Sequence, residues 1–482
     1  LTVADPHVHL ARKAARGAIA LGIRQLLAHG SNVLGGVLLA RLLTPGQFGF
    51  FALVTLFLTF LNIFGGTGFA GNLIRVPEEP GLRTYRVIFT GQQILVGSLC
   101  TAIAFAAPWI ASLYHLADHG TTFFRLTALS LFFTSLMVIP QVRMERELEF
   151  DKLALIEVSQ AVSFNLTTVL LAWKGFGILS FAVGMIVRSC LGAILANLIS
   201  PWKTGFQWDW PLLRANVHYG VALQTGQVLA MAKDSITPLF VGLYLGSTQM
   251  GYATWAMTFA SFPIMILMPL QRLYLPFYAR LQHAPEALAH YLRHTFLLVN
   301  GIAAPLSVIC VALAHPITRL VFGEKWVVAI PLFFCFSFAN LFGPSVTPIL
   351  GLFNALGKSH TTMQVILAVM IMTWIFGVPL MIHFGLMGFG FTIVCTQFVN
   401  IWLYWFVKKL VPVRPFASYW PAWPLSFAIG LGLFAIESQF PARNLVVLLS
   451  YGAVGLICYL GIFATFFQNR VRVALQLLRK NA

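Results

Sequence analysis

Apolar stretches long enough to form membrane-crossing helices recur down the whole chain, separated by short polar gaps. A helix crossing a hydrocarbon core of about 30 Å needs roughly 20 mainly apolar residues, because only a helix satisfies its own backbone hydrogen bonds in lipid. The pattern predicts about fourteen spans, over residues 17–40, 48–72, 88–113, 121–141, 153–173, 176–199, 217–244, 250–271, 294–316, 328–354, 362–383, 387–407, 420–438 and 443–467. A transmembrane barrel is excluded, since its strands alternate in polarity over about ten residues. Gly91 to Ile110 and Asn444 to Phe467 are instead apolar almost throughout. The expected fold is therefore all-α and polytopic.

Composition agrees: hydrophobic residues make up 59% and charged residues 9%, against roughly 25% charged in soluble domains, and mean hydropathy is +0.82. A formal charge of +17 raises the question of nucleic acid, but its placement answers otherwise. Of the 31 lysines and arginines, 22 fall in alternate gaps and the two termini, six (Arg41, Arg125, Lys174, Arg319, Lys325, Arg443) fall in the opposite gaps, and three lie within spans. Positive charge accumulates on the cytoplasmic side, so both termini are expected there, with an even number of spans and no nucleic-acid partner. Leu1 to Arg16 is polar and basic and the apolar part that follows is long enough to span, so the first span is expected to be its own insertion signal. All six cysteines fall in spans without metal-ligand spacing, so neither disulfides nor zinc is expected and no cofactor is implied.

The segment Ser200 to Asn216, with Pro201, Lys203, Trp208, Trp210, Pro211 and Arg214, divides six spans from the rest and reads as a boundary between lobes. Its tryptophans suit the membrane interface. Across it runs a repeat at an offset of 202 residues. Leu43-Thr44-Pro45-Gly46-Gln47-Phe48-Gly49 lies over Leu245-Gly246-Ser247-Thr248-Gln249-Met250-Gly251, each a short turn between an ending span and a span opened by a Gly-aromatic pair. A tight outer turn favours such residues in any case; if the repeat is structural, spans one to six and seven to twelve form two similar bundles. The expected organisation is an N-terminal lobe at 1–200, a cytoplasmic linker at 201–216, a C-terminal lobe at 217–410, and two extra spans with a basic tail at 411–482 that look like an appendage.

An ionised side chain at mid-bilayer costs at least about 2.5–3.5 kcal/mol and is read first as facing a cavity or a partner. Three places qualify. The first span carries Arg24, Gln25, His29, Ser31 and Asn32, with Gln25, His29 and Asn32 on one helical face; that face either lines a cavity or bonds helix to helix. The seventh span carries Gln224, Gln227, Lys233 and Asp234. The offset of 202 sets Lys233 over Ser31 and Asp234 over Asn32. Lys233 suits an anionic headgroup and Asp234 a proton or sodium ion, or else both serve a buried structural pair. Arg188 in the sixth span is the third, facing a cavity, a carbonyl or Glu157. Pro238, Pro263, Pro269, Pro305, Pro344 and Pro348 are expected to interrupt helical bonding, as hinges or for packing. The sequence contains no GxSxG, Walker loop or HExxH and no long outer loop, which argues against an enzyme and leaves any active transport to an ion or substrate gradient.

Ala40-Arg41-Leu42-Leu43-Thr44-Pro45-Gly46-Gln47-Phe48-Gly49 closely resembles the opening of the polysaccharide transporter branch of the multidrug/oligosaccharidyl-lipid/polysaccharide exporter superfamily. Glu145-Arg146-Glu147-Leu148-Glu149-Phe150, Met250-Gly251-Tyr252 with Pro276 and Arg280-Leu281-Gln282, Phe322-Gly323-Glu324-Lys325-Trp326, and Asn354-Ala355-Leu356-Gly357-Lys358 resemble later stretches of that branch in the same order. The resemblance implies a Wzx-like flippase that turns undecaprenyl-diphosphate-linked oligosaccharides from the inner to the outer leaflet of the bacterial inner membrane. It implies two six-helix lobes about a cationic cavity. Its partners would be the lipid-linked oligosaccharide, membrane lipid, and polysaccharide polymerase and export machinery. Arg24, Arg188 and Lys233 would then shield the diphosphate, and Gln25, His29, Asn32, Gln224 and Gln227 would line the cavity beside the sugars. Gly65-Gly66-Thr67-Gly68-Phe69-Ala70 departs from relatives that often carry an acid before Gly-Leu; if that acid couples an ion, coupling has moved to Asp234 or is absent. The rival readings are an ion-coupled multidrug exporter of the same superfamily and, further off, a membrane polymerase or ligase.

Overall fold

The computed structural model describes residues 30–65, 73, 79–113, 119–147, 149–215, 240–282, 284–412 and 422–480. Among the described residues the regular elements are all helical. They are α1 (30–42), α2 (Pro45–Gly65), α3 (Leu82–Leu113), α4 (Gly120–Ser135), α5 (Val138–Arg146), α6 (Phe150–Trp173) and α7 (Leu179–Ile199). There follow α8 (Ser247–Met265), α9 (Met268–Arg280), α10 (Pro285–Ala312), α11 (Ile330–Ala339), α12 (Gly343–Ala355) and α13 (Ser359–Phe384). The chain continues with α14 (Leu386–Thr396), α15 (Val399–Leu410), α16 (Ala422–Gln439) and α17 (Leu445–Lys480). Nine helical segments among the described residues are long and apolar enough to cross a membrane, and this is a multi-pass membrane protein. The seventh expected span lies almost wholly outside the described residues.

Two of these nine segments, Gly120–Arg146 and Glu324–Ala355, are bent in ways that their prolines explain. Pro140 has no N–H to offer the carbonyl of Leu136, four residues earlier. The chain there turns through i to i−3 bonds, Leu136 N–H to Phe133 O and Met137 N–H to Thr134 O. The freed Leu136 carbonyl accepts instead from Asn197 Nδ2 on α7, at 3.2 Å. Pro344 similarly follows a break at 340–342, where Asn340 Nδ2 donates to Ala260 O on α8 at 2.8 Å. Pro269 and Pro344 each stand at the start of a new helix, whereas Pro263, Pro305 and Pro348 are accommodated inside one. Pro238 lies outside the described residues.

The chain divides into two compact units, Leu1–Gly251 and Tyr252–Ala482. In the first, Leu43, Phe50, Phe123, Phe124 and Phe181 centre a core shared by α2, α4 and α7, with Phe51 stacked on Phe181 at 3.6 Å. A reciprocal capping box opens α2: Thr44 N–H donates to Gln47 Oε1 and Gln47 N–H to Thr44 Oγ1. The two copies of the repeated turn lie against each other. A Cβ on Gly49 would fall 1.9 Å from the Ser247 carbonyl oxygen, and one on Gly251 would fall 1.9 Å from that of Pro45. Pro45 and Ser247 are separated by the same 202 residues as the two glycines, so each copy offers its partner the same carbonyl, and only glycine permits the approach.

In the second unit α10 is the hub. Asn300 is fully buried on it, donating to Phe296 O at 2.9 Å and Ser345 Oγ at 3.0 Å and accepting from Trp423 Nε1 at 3.2 Å. One side chain thus ties α10, α12 and α16 together. The last two helices, expected as an appendage, are packed into this unit. Trp423 and Ala422 belong to its main core, Gly430 lies against Val308, and Gly455 lies against Leu433.

Candidate functional site

Five helices of the first unit line a cavity of about 430 Å³. Its twelve lining residues include nine polar ones: Thr55 and Thr59 from α2, Ser130 and Thr134 from α4, Gln141 from α5, Glu157 and Gln160 from α6, and Arg188 and Ser189 from α7. Leu131, Met137 and Met185 complete the wall. Arg188 is the tenth of the 21 residues of α7, so it sits midway along a membrane-crossing helix, yet its side chain is exposed to the cavity. Glu157, half-buried on α6, supplies the opposing charge whose field acts on the guanidinium. A guanidinium at that depth is tolerable because it opens on a polar, water-accessible space rather than on lipid.

The surrounding polar groups are held by short bonds that fix the wall. Thr134 Oγ1 donates to Ser130 O at 2.9 Å and lies 3.0 Å from Ser189 Oγ, joining α4 to α7. Gln160 Nε2 reaches Met137 Sδ at 3.4 Å and the carbonyl of Arg188 at 3.5 Å, joining α6 to the α4–α5 bend and to the backbone that carries the cation. Thr59 donates to Thr55 O at 2.7 Å, while Thr55 Oγ1 has no protein partner. Each hydroxyl that donates to its own helix keeps lone pairs free to accept. The cavity therefore offers one cation, one carboxylate and a ring of hydroxyl and amide groups, a surface for a hydroxyl-rich or anionic guest.

Of the residues singled out from the sequence, Arg188 lines this cavity. Asn32 is exposed on α1, where its Oδ1 accepts from Asn165 Nδ2 of α6 at 3.0 Å, and Ser31 Oγ accepts from the same amide at 3.1 Å. Arg24, Gln25, His29, Gln224, Gln227, Lys233 and Asp234 lie outside the described residues. The hydroxyl and amide wall does not stand out in the sequence, although its spacing is present there. Ser130, Thr134, Met137 and Gln141 follow steps of four, three and four, Glu157 and Gln160 a step of three, and Thr55 and Thr59 a step of four, each one face of a helix. The signal is three such faces on three spans, not any residue alone.

Comparison with known proteins places this architecture. A family described as polysaccharide biosynthesis protein matches residues 38–331. The lipopolysaccharide biosynthesis protein WzxC of Escherichia coli K12 is 25% identical over 332 residues, 67% of this chain and 66% of WzxC. The succinoglycan biosynthesis transport protein ExoT of Rhizobium meliloti 1021 is 23% identical over 61% of this chain and 60% of its own length. The chain thus spans 60–66% of the length of these two relatives. Among solved structures, the lipid II flippase MurJ in an inward closed conformation superposes with a TM-score of 0.74 over 95% of this chain and 100% of MurJ, at 14% identity. An inward-facing multidrug resistance transporter of the MATE family and MOP superfamily gives 0.58 over 88% and 100%, at 15%. At such identities the structural likeness establishes the fold, and the family match covers more than half of the sequence. The chain belongs to the polysaccharide biosynthesis protein family.

Proposed function

We propose that the protein is a flippase, not an enzyme, that moves undecaprenyl-diphosphate-linked oligosaccharide repeat units across the bacterial inner membrane for exopolysaccharide, capsule or O-antigen synthesis. The single observation that carries the reading is Arg188, exposed at mid-span in a cavity walled by hydroxyls and amides, in a member of a polysaccharide biosynthesis family. A lipid diphosphate must bring its negative charge through a low-dielectric region, where an opposing cation is worth far more than in water. The sugars need donors and acceptors, which Thr55, Thr59, Gln141 and Gln160 supply. Arg24 and Lys233 add charge for the diphosphate, Gln25, His29, Asn32, Gln224 and Gln227 add polar contacts, and Asp234 takes up a coupling ion. Both termini face the cytoplasm on the strength of the basic residues in alternate gaps, and polymerase and export machinery act on the product.

The test is leaflet assignment of the lipid-linked oligosaccharide in cells lacking the protein. Accumulation on the inner leaflet, relieved by the wild-type chain, is the expected outcome. Normal outward supply without the protein would overturn the flippase and favour the multidrug exporter, to be assayed by cation efflux.

A further inference from the structure

The segment between α7 and residue 216 is not a slack connection. Residues 201–209 run without regular structure and 210–215 form one short helical turn, and together they are strapped along the first turns of α3. Arg83 pairs with Asp209 at 2.7 Å, Arg86 Nε donates to Lys203 O at 3.2 Å, and Gln207 N–H donates to Thr90 Oγ1 at 2.9 Å. Arg143, from the end of α5, donates to Pro201 O at 2.6 Å. Trp202 meets Phe89 edge to face at 5.2 Å, and Leu213 is buried over Gly91.

The strap alternates. Gly205, Gln207 and Asp209 are half-buried against the protein, while Phe206, Trp208 and Trp210 are 75%, 57% and 57% exposed. A period of two is that of an extended chain with two unlike faces. Trp208 and Trp210 stack at 6.1 Å, so the outward face is a ledge of three aromatic rings, flanked by the exposed Lys203, Arg83 and Arg214.

The height of the ledge says what covers it. α3 has 32 residues, about 48 Å at 1.5 Å per residue, against a hydrocarbon core of about 30 Å. Its continuous apolar part begins at Ile94, and each strap contact with α3 falls between Arg83 and Gly91, on the overhanging turns. Aromatic rings with basic neighbours at that level match the headgroup zone, where indoles partition and lysine and arginine attract anionic phospholipid. We propose that the 201–215 strap is a lipid-binding ledge that seats Phe206, Trp208 and Trp210 among anionic phospholipid headgroups of the leaflet facing the cationic gaps. It fixes the height of α3 and α5 in the bilayer and is independent of the transported substrate.

The experiment places a nitroxide label singly at Phe206→Cys, Trp208→Cys and Trp210→Cys, in the full chain with its six native cysteines replaced by serine. Collision with oxygen and with a water-soluble nickel chelate is measured in nanodiscs of phosphatidylcholine alone or with phosphatidylglycerol. All three labels are expected at headgroup depth, deeper with phosphatidylglycerol. Lys203→Gln with Arg214→Gln should abolish that dependence. Free access of the nickel chelate to all three, as at a label on the exposed turn residue Lys174, would overturn the ledge and leave its rings for a protein partner. Equal depth in both lipids would overturn the anionic preference. Should the cysteine-free chain fail to fold, photocrosslinking of the unaltered protein by a headgroup-diazirine phosphatidylglycerol reads the same contact: crosslinks at 206, 208 or 210 are expected, and their absence beside crosslinks elsewhere overturns it.

Discussion

Each unit contains a cavity of nearly the same size, about 430 Å³ in the first and about 400 Å³ in the second, and the two are lined in opposite ways. The first presents nine polar residues of twelve, including Arg188 and Glu157. The second, between α10, α11 and α16, presents carbon from Val308, Val311, Phe334, Phe338, Phe427 and Phe434, with Ser307 and Ser337 as its polar members. The buried polar groups of the second unit are not scarce. Asn300 joins Ser345 and Trp423 through its own amide, whereas in the first unit Arg188, Glu157 and the hydroxyls and amides around them face the cavity. At Asn300 the second unit uses polarity for cohesion; around Arg188 the first unit turns it toward a cavity.

That contrast can be broken in graded ways. The largest effect is expected from Arg188→Ala. Loss of a charge contact of about 1.4 kcal/mol or more corresponds to at least about tenfold in outward supply of the lipid-linked unit, at unchanged protein level, with Arg188→Lys partly restoring it. Next is Val311→Asp, which puts a carboxylate in the apolar cavity and should cost about 2.5–3.5 kcal/mol of stability, read as a lower melting temperature in detergent. Thr134→Asp, in the cavity that already holds Arg188, should lower it much less; equal losses would dissolve the distinction between the two cavities. Asn300→Ala removes the hub of the second unit and should cost about 1–2 kcal/mol, with transport reduced only in proportion to folded protein. The smallest change is expected for Thr134→Val, about 0.5–1 kcal/mol from the lost contact with Ser189, measured by the same melting experiment.

The membrane helices were legible because each span is a near-continuous apolar run, for which local composition decides the element. The repeated turn was legible because its glycines are required by a backbone approach that only the fold reveals, Gly49 on the Ser247 carbonyl and Gly251 on that of Pro45. Arg188 stood out because a cation in an apolar run is costly. The wall around it was not legible: Thr134, Gln160 and Ser189 are each ordinary in a membrane helix, and they form a common wall only where five helices converge. The bend at 136–137 was equally hidden, since Pro140 needed Asn197, 57 residues later, to satisfy the carbonyl it frees. The tryptophans of 201–215 suggest an interfacial segment, but its attachment to α3 depends on Arg83, Arg86 and Thr90, more than a hundred residues away in sequence.

The most direct test of the account uses purified protein in proteoliposomes loaded on one leaflet with a fluorescent polyprenyl-diphosphate oligosaccharide, following its appearance on the other. The expected result is transfer by the wild-type chain, loss with Arg188→Ala, and partial recovery with Arg188→Lys. Transfer by Arg188→Ala at the wild-type rate would contradict the claim that the cation of the polar cavity meets the diphosphate.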